Sequence, residues 1–419
     1  MDINELLQGV NCECGKKHTC NIKYVYIEKN AAARLQEICA QYQNILLVAD
    51  ENTFAAAGQS TIDNLQGKNI EKVIFPGDQV LVPNEAAIAA VEEVLGQSEL
   101  IIAIGSGVIQ DLCKYVSFDK KVPYIDVATA PSMDGYASDG AAMILGGMKE
   151  TCKVGLPLAI IADTAVLAGA PMEMLKAGYG DVVGKFSALN DWKLSRLLND
   201  EYYCQYIYDL TYQQIQQTLA LADGILKRNE ESVKTLMEAL VVIGILMSFA
   251  GSSRPASGSE HHLSHFFEIT GIVDGTPYLS HGIDVAYSTV ITAQIREKIL
   301  ANPFPKQIFR EEKQQYEQNV RKIYKEVADG CMALQQKVGN YAKDRSADFL
   351  AKEAQIREIL AEMPTADEVK EMLARAELDI SEFYELYGEE KIKNAILYAK
   401  ELKDRYTVLW VNYDFYGGE

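Results

Sequence analysis

Short apolar runs alternate with helical hydrophobic patterns over the first part of the chain, up to about residue 165. The apolar runs predict strands at residues 44–49, 72–75, 100–104, 124–127 and 158–162. The helical patterns between them lie at residues 31–42, 53–65 and 85–96. Strands that alternate with helices are typical of a parallel sheet in an α/β domain. Gly146 and Gly147 interrupt the alternation and predict a hairpin turn at residues 146–149.

The pattern changes after Pro171, where long helical periodicities replace the alternation. They lie at residues 208–227, 232–249, 282–300, 311–338, 348–362, 365–376 and 389–404. One helix start is well marked, because Thr365 and Glu368 have the spacing of a capping box and follow Pro364. We therefore predict an α/β domain over residues 1–168 and an all-α domain over residues 169–419.

The composition narrows the kinds of partner that the chain can have. Its 419 residues are 48% hydrophobic, which is enough material for a large core, and they carry a formal net charge of −19. Such a charge repels the phosphates of nucleic acids, so we expect no nucleic-acid partner. The same charge favours solubility, and it means that a phosphorylated substrate would need a local positive site.

Eight cysteines are scattered along the chain, which indicates a reducing compartment and not a disulfide framework. The N-terminus has no basic start followed by an apolar run, so we expect no signal peptide. The most apolar stretch, residues 240–250, is too short to span a bilayer. We therefore predict a cytoplasmic protein with no membrane partner.

The N-terminal segment CECGKKHTC, residues 12–20, resembles a metal knuckle in its spacing of cysteine and histidine. We find no second half of such a site elsewhere in the sequence. A structural zinc is therefore the less favoured interpretation, and a β-hairpin that turns at Gly15 and Lys16 is preferred.

A glycine-containing segment follows the predicted strand at residues 100–104. Glycine lets the backbone turn tightly, and the helix that follows offers free N–H groups to a pyrophosphate. The segment lacks the full G-x-G-x-x-G fingerprint, so a plain turn between strand and helix is an equally good interpretation. The candidate cofactor contacts in this segment are Gly105, Ser106, Gly107, Val108 and Ile109.

Asp50 ends the first predicted strand and has two candidate roles. An acidic residue at this place can accept hydrogen bonds from an adenosine ribose, and its charge disfavours the additional phosphate of NADP. The commoner role is that of N-cap for the helix that begins near Thr53.

Four of the five histidines lie between residues 261 and 281. His261 and His265 are four residues apart and share one face of a helix. Such a concentration predicts a metal site, and a carboxylate is the usual third ligand beside two imidazoles. Asp181, in the segment GYGDVVGK, is one candidate. It also fits as the N-cap that opens a helix, and the residues by themselves do not choose it over other acids.

Five segments together resemble one enzyme family and occur in the family's order: GSGVIQDLCKY, VATAPSMDGYASDGA, AGYGDVVGKFSALNDWKL, RPASGSEHHLSHFFE and SHGIDVAYSTV. The superfamily contains the iron-containing alcohol dehydrogenases, the glycerol dehydrogenases and dehydroquinate synthase. Within it, the chain is similar to the bacterial-type sn-glycerol-1-phosphate dehydrogenases. The resemblance implies a Rossmann-like dinucleotide-binding domain followed by a helical domain that binds metal and substrate.

The resemblance also implies roles for particular residues. Asp181, His261 and His281 match the metal ligands of the family. Asp134 matches the residue that holds the substrate hydroxyl, and His265 matches a substrate contact. The residues that match contacts on the nicotinamide side of the cofactor are Thr129, Ala130, Pro131, Ser132 and Ser138.

Two cations are candidates for binding a substrate phosphate. Lys185 follows Asp181 by one helical turn, and Arg254 shortly precedes the histidine cluster. We predict that one or both contact the phosphate; the alternative for each is a solvated or ion-paired side chain. His262 matches no role in the family and is interpreted as a residue that supports the metal ligands or as a structural one.

The resemblance implies the reversible reduction of dihydroxyacetone phosphate to sn-glycerol-1-phosphate by NADH, or alternatively NADPH, with one divalent zinc, nickel or iron ion. A glycerol or other polyol dehydrogenase and a dehydroquinate synthase-like lyase are alternatives on the same fold. A sugar-phosphate sensor or a structural oligomer is the alternative outside enzymes. The helical domain and the aromatic tail at residues 408–416 predict a homo-oligomer, a dimer, although the tail fits equally well packed on its own domain.

Overall fold

The computed structural model describes residues 2–417, and the chain divides into two compact units. The first unit runs to Val182 and also includes Gln216–Ser253. The second comprises Val183–Ile215 and the chain from Arg254 onwards. The predicted boundary after residue 168 instead assigns residues 169–182 and 216–253 to the helical half. That the chain folds as two independent domains with a boundary after residue 168 stays a prediction.

Ten strands are present in the described part of the chain. They are β1 Val10–Asn11, β2 Lys17–His18, β3 Tyr24–Glu28, β4 Asn44–Asp50, β5 Asn69–Phe75, β6 Leu100–Gly105, β7 Tyr124–Ala128, β8 Gly140–Leu145, β9 Met148–Lys153 and β10 Ala159–Asp163. Six of them form a parallel sheet in the order β3-β10-β7-β6-β4-β5. This confirms the predicted α/β class.

The interior strands of the sheet are apolar for a physical reason. Strand β6 is buried along its whole length, as is expected where helices cover both faces of a parallel sheet. The five predicted strands are all confirmed. Strand β3 was not predicted, because at the edge of the sheet it buries only alternate side chains, those of Val25 and Ile27.

Seven helices precede residue 170 in the described residues. They are α1 Ile3–Leu7, α2 Leu35–Ile38, α3 Glu51–Thr53, α4 Gln59–Asp63, α5 Glu85–Leu95, α6 Gly107–Lys120 and α7 Thr164–Gly169. A π-helical turn, Phe54–Gly58, joins α3 to α4, so the predicted helix at residues 53–65 is confirmed as one helical segment. The predicted helix at residues 31–42 is shorter, since a 3-10 turn at Ala31–Arg34 leads into α2.

The predicted hairpin turn is confirmed between β8 and β9, which pair antiparallel with Leu145 opposite Met148. Gly146 and Gly147 have φ values of +57° and +78°. A two-residue turn that matches the twist of its strands needs positive φ at both positions, which glycine adopts without strain.

Thirteen further helices follow in the described residues. They are α8 Met172–Asn199, α9 Gln205–Leu219, α10 Ala222–Leu226, α11 Glu230–Ala250, α12 Ser259–Asp274, α13 His281–Ala301, α14 Lys313–Tyr324, α15 Ala328–Val338, α16 Ser346–Ala351, α17 Glu353–Ala361, α18 Ala366–Ala374, α19 Ser381–Tyr398 and α20 Val408–Tyr416. The capping box at Thr365 and Glu368 is present and opens α18, as predicted.

Three of the long predicted helices are each two helices in the structure: residues 208–227 are divided between α9 and α10, residues 311–338 between α14 and α15, and residues 348–362 between α16 and α17. Helices α14 and α15 are separate because Lys325 has a φ of +45°, where a right-handed helix cannot continue. The predicted helix start at residue 389 agrees better with the structure. Gly388, inside α19, has a φ of +68° and breaks the helix just before that position.

The apolar stretch at residues 240–250 was predicted to be too short to span a bilayer, and that prediction of its length is wrong. That stretch is part of a 21-residue helix, the one helix in the described residues that is long and apolar enough to cross a membrane. Of its most apolar window, 78% is buried inside the protein. A core helix passes the same test of length and composition, so the helix is weak evidence for a membrane span.

The aromatic tail forms helix α20, and its side chains are buried within the chain itself. Leu409 and Val411 are fully buried, and Trp410 is 2% exposed. The rings of Trp410 and Tyr341 lie 4.9 Å apart, edge to face. The tail therefore packs on its own unit, which removes it as an argument for a homo-oligomer.

Candidate active site

The sheet has a topological switch point between strands β4 and β6. Strands β4 and β6 are neighbours in the sheet. From β4 the chain continues to β5 on one side, and from β6 it continues to β7 on the other side, so the two connections run in opposite directions. In open parallel sheets, ligands bind at the carboxyl ends of the strands at such a point. Asp50 ends β4 and Gly105 ends β6, so both predicted cofactor segments lie at this edge.

The two glycines of the segment after β6 have different surroundings. A Cβ on Gly105 would lie 2.7 Å from the Cβ of Ile109, so only glycine lets the first turn of α6 pack against the strand end. A Cβ on Gly107 would meet only Met133, at 3.5 Å. The Ser106 side chain makes no capping hydrogen bond to the helix. The N–H groups at the start of α6 are therefore available to an anion such as a pyrophosphate.

Asp50 is the N-cap of the helical segment that begins with α3. Its Oδ1 accepts a hydrogen bond from the Thr53 N–H at 2.8 Å, and the Thr53 Oγ1 accepts one from the Asp50 N–H at 3.0 Å. The alternative that the sequence left open is thus confirmed. The ribose contact stays a prediction, which the cap does not oppose because a carboxylate accepts several hydrogen bonds.

The loop after β7, residues 129–138, contains the predicted nicotinamide contacts and is held in place by hydrogen bonds. The Thr129 N–H donates to the Gly105 carbonyl at 3.1 Å, which places this loop beside the glycine segment. The Tyr136 hydroxyl donates to the Ala130 carbonyl at 2.5 Å. The Ser138 hydroxyl donates to the Gly135 carbonyl at 3.0 Å, so it fixes the loop.

Lys114 also positions this loop, and this role was not predicted from the sequence. Its side chain is fully buried, and the ammonium donates to the carbonyls of Gly135 at 2.9 Å and Gly140 at 3.0 Å. Asp111 lies 3.4 Å away as its ion-pair partner. The available signal was weak: a lysine and an aspartate three residues apart on a helix are usually solvated.

Asp181 lies inside helix α8, so the prediction that it opens a helix is wrong. The glycines around it serve close packing. A Cβ on Gly178 would lie 1.8 Å from the Pro131 carbonyl oxygen, so the helix touches the 129–138 loop directly. One turn later, the Asp181 Oδ2 accepts a hydrogen bond from the Asp134 N–H at 3.0 Å. The structure thus joins two residues that the sequence had predicted in different roles.

Three histidines come together where helices α12 and α13 begin. The ring centroids of His261 and His281 are 5.1 Å apart, those of His265 and His281 5.6 Å, and those of His261 and His265 6.0 Å. His261 and His265 share one face of α12, as predicted from their spacing, and His281 is the first residue of α13. His261 is buried, whereas His265 and His281 are half-buried.

Glu260 orients His261 and was not predicted. Its Oε1 lies 2.7 Å from the His261 Nδ1 and also accepts a hydrogen bond from the Gly258 N–H at 2.8 Å. Burial raises the pKa of the Glu260 carboxyl, and the Gly258 N–H acts in the opposite direction. A carboxylate on one imidazole nitrogen fixes the ring and leaves the other nitrogen for a metal.

The donor atoms of Asp181, His261 and His281 lie within 4.8 Å of one another. Two imidazoles and one carboxylate suit a divalent ion of zinc, nickel or iron, and a three-ligand set leaves coordination positions for a substrate. The Glu260 contact to His261 is a further feature that metal-binding histidines share. These residues therefore fit a catalytic metal. His265 is outside this set of donors and is left for another task.

The two predicted phosphate contacts differ in the structure. Lys185 is fully buried on helix α8, one turn after Asp181. The Arg254 guanidinium forms a two-point ion pair with Glu201, at 2.6 Å and 2.5 Å, and also donates to the Tyr406 carbonyl at 3.0 Å. Arg254 thus has the ion-paired role that the sequence left as its alternative, and its contact with a substrate phosphate stays a prediction.

His262 is fully buried, and neither ring nitrogen has a hydrogen-bond partner among the described residues. Burial lowers its pKa well below the usual range, and nearby cations including Arg405 act in the same direction. The ring is therefore neutral, which agrees with the structural role predicted for it.

The comparisons with known proteins agree with this geometry. A family model described as iron-containing alcohol dehydrogenase matches residues 26–171. The solved iron-containing alcohol dehydrogenase from Thermococcus thioreducens shares the fold, with a TM-score of 0.61 at 15% identity over 96% of this chain and 99% of that one. The chain therefore has the fold class of the iron-containing alcohol dehydrogenases.

Closer relatives define the family within that class. A Bacillus licheniformis protein called glycerol-1-phosphate dehydrogenase (NAD(P)+) is 30% identical, over 97% of this chain and 94% of that protein. A Geobacillus stearothermophilus protein of the same name is 33% identical, over 71% of this chain and 77% of that protein. The chain belongs to the glycerol-1-phosphate dehydrogenase family, and the resemblance seen in its five segments is confirmed.

Proposed function

We propose that this protein catalyses the reversible, NAD(P)H-dependent reduction of dihydroxyacetone phosphate to sn-glycerol-1-phosphate. The observation that carries the proposal is the donor set of Asp181, His261 and His281, with Glu260 supporting His261. The names of the relatives supply the substrate and the cofactor class. The loop after strand β7 contacts one of these donors, because the Asp134 N–H donates to the Asp181 carboxylate.

Asp181, His261 and His281 would hold one divalent ion of zinc, nickel or iron. When bound at such a site, the ion acts as a Lewis acid on the carbonyl or hydroxyl oxygen of the substrate. Asp181 contributes a negative charge to the set, and Glu260 keeps the His261 ring in one orientation. The chain therefore supplies a fixed, partly charged binding face before any substrate arrives.

Asp134 and His265 would act on the substrate itself. The Asp134 N–H donates a hydrogen bond to the Asp181 carboxylate, which fixes the backbone at Asp134. The Asp134 carboxylate is therefore attached to a fixed backbone and can accept a hydrogen bond from a substrate hydroxyl. His265 lies one turn after His261 and is half-buried, so it can reach both substrate and solvent. An imidazole in that place can donate or accept the proton that accompanies reduction of the ketone.

The cofactor would lie along the carboxyl edge of the sheet. The start of α6, from Gly105 to Ile109, would bind the pyrophosphate, and Asp50 would accept hydrogen bonds from the adenosine ribose. The negative charge of Asp50 favours NADH over NADPH. The loop residues Thr129, Ala130, Pro131, Ser132 and Ser138 would lie on the nicotinamide side.

The substrate assay tests the proposed reaction directly. The full-length chain is loaded with zinc, nickel or iron in turn, and NADH oxidation is followed with dihydroxyacetone phosphate and with dihydroxyacetone. We expect turnover with the phosphorylated ketone and far less without the phosphate. The product should not be oxidised by an enzyme specific for sn-glycerol-3-phosphate. Equal turnover of dihydroxyacetone would favour a polyol dehydrogenase, and no turnover with any metal would contradict the proposal.

Lys185 is the proposed phosphate contact. Replacing it with methionine, which keeps most of the volume, should raise the KM for dihydroxyacetone phosphate by about tenfold or more, since a hydrogen bond to a charged group contributes about 1.5–3 kcal/mol. The KM for NADH should not change. Lys193→Met is the matched control, because Lys193 lies on the same helix but pairs with Glu362 at 2.6 Å. An unchanged KM in the Lys185 variant would remove it from the site.

We further propose that the protein works in the cytoplasm as a homo-oligomer, without a nucleic-acid or membrane partner. The net charge of −19 supports the absence of a nucleic-acid partner. The eight cysteines are scattered along a long chain, which favours a reducing compartment. Light scattering of the purified protein measures the oligomeric state.

A further inference from the structure

The N-terminal hairpin carries three potential metal ligands: Cys12 and Cys14 in the turn between its strands, and His18 on strand β2. Strands β1 and β2 pair antiparallel, with Val10 opposite His18. The turn between them is closed by hydrogen bonds from the Gly15 N–H to the Cys12 carbonyl and from the Cys12 N–H to the Lys16 carbonyl. The predicted hairpin is therefore present, and it is compatible with the metal knuckle that the sequence analysis set against it.

His18 is oriented in the manner of a metal ligand. It is 1% exposed, and its Nδ1 lies 3.0 Å from the Phe249 carbonyl oxygen. A carbonyl only accepts, so the Nδ1 carries the proton and the Nε2 keeps its lone pair. The ring also stacks on Phe249, with centroids 5.3 Å apart and planes inclined by 14°. A backbone carbonyl on one ring nitrogen is the usual way in which proteins fix a histidine ligand.

The spacing of the donor atoms fits a tetrahedral ion. The His18 Nε2 lies 3.5 Å from the Cys14 Sγ. Zinc–sulfur and zinc–nitrogen bonds of ordinary length, at a tetrahedral angle, separate their donors by about 3.6 Å. One donor atom from each of Cys12, Cys14, His18 and Cys204 lies within 4.8 Å of the others. Cys204 is distant in sequence from the other three residues, so the local spacing did not predict it.

We propose that Cys12, Cys14, His18 and Cys204 bind a structural zinc ion. Three thiolates and one imidazole form a complete tetrahedral set, which leaves no open position for a substrate. His18 and Cys204 are buried, and Cys12 and Cys14 are half-buried, so the site is largely shielded from solvent. The cysteines form no disulfide that would compete for the sulfur atoms. Zinc binding there stabilises the fold and takes no part in the redox reaction.

This site is chemically distinct from the candidate catalytic centre. The two sets share no residue, and one consists of three sulfurs and a nitrogen whereas the other consists of nitrogens and oxygen. Thiolates select zinc strongly, while the histidine and carboxylate set accepts several divalent ions. The purified chain should therefore contain zinc in addition to its catalytic metal.

Cobalt substitution tests the proposal, because cobalt bound by thiolates has an intense near-ultraviolet charge-transfer absorption that nitrogen and oxygen ligands do not produce. The full-length chain is prepared with cobalt in four forms: unaltered, Cys14→Ser, Cys204→Ser and Cys20→Ser. Cys20 is the matched control, a buried thiol of the same segment whose pKa is raised to about 11 by burial and which lies outside the ligand set. Metal content is measured in parallel by mass spectrometry.

We expect the cobalt–thiolate absorption in the unaltered chain and in Cys20→Ser. Cys14→Ser and Cys204→Ser should lose that absorption, and each should contain one zinc ion per chain fewer than the unaltered protein. If those variants fold poorly, a mercurial added to the unaltered zinc protein should release one thiolate-bound zinc and lower the melting temperature. The His281→Ala variant should lose the catalytic metal but keep the cobalt–thiolate absorption. The proposal for the zinc site and the proposal for the catalytic site can therefore fail independently, and the two failures give different results. No cobalt–thiolate absorption and no mercurial-released zinc, or a disulfide among these cysteines in the purified protein, would overturn the proposal.

Discussion

Replacement of His281 with alanine is expected to remove the catalytic metal and to lower kcat by about a thousandfold or more. A catalytic ion contributes several kcal/mol to stabilising the transition state, and about 1.4 kcal/mol corresponds to a factor of ten. The remaining donors, Asp181 and His261, make an incomplete site. Metal content by mass spectrometry and NADH oxidation with dihydroxyacetone phosphate measure the two effects.

His265 provides the matched control for that variant. Its ring lies 5.6 Å from that of His281, yet it is outside the donor set. His265→Asn should therefore retain the metal and still lower kcat by about a hundredfold or more, as is usual when a general acid or base is lost. Loss of metal from the His265 variant, or its retention in the His281 variant, would contradict the ligand assignment.

Gly178→Ala is expected to have the largest effect of any small substitution. The added methyl group would lie 1.8 Å from the Pro131 carbonyl oxygen, and backbone cannot move aside as a flexible side chain can. We expect a loss of about 1–3 kcal/mol in the free energy of unfolding, even though alanine is the better helix former. The 129–138 loop would also shift relative to Asp181, so kcat/KM for the ketone should fall.

Gly169→Ala is the control for Gly178→Ala. Gly169 ends helix α7, and a Cβ there meets nothing within 4 Å. That variant should keep both stability and activity. Thermal or urea unfolding compares the two proteins, and an unchanged or raised stability of Gly178→Ala would show that helix α8 and the loop do not approach as closely as described.

Helix α8 shows where a local pattern misleads. The glycines near Asp181 suggested the start of a helix, whereas the chain is helical from Met172 to Asn199. Glycine weakens a helix, but here it allows backbones to approach closely. A second example is Gly244 of helix α11, where a Cβ would lie 2.8 Å from the Asp134 carbonyl oxygen. The partner of such a glycine is distant in sequence, so no local pattern identifies it.

The charged residues show the same dependence on tertiary contacts. Lys185 and Arg254 are both cations near the predicted metal ligands in sequence. Only the structure shows that Arg254 pairs with Glu201, and that Lys114 and Glu260 position the 129–138 loop and His261. Burial decides these roles, because a charge removed from water must find a partner close by.

The sequence by itself determined the strands that are buried on both faces, because continuous apolar runs follow directly from burial. It also determined the glycine segment after β6 and the concentration of histidines, since both are local in the chain. Only the tertiary structure brought Asp181 to His261 and His281, and Cys204 to Cys12, Cys14 and His18. Metal sites need several donors around one point, and the folded backbone alone decides which distant residues meet there.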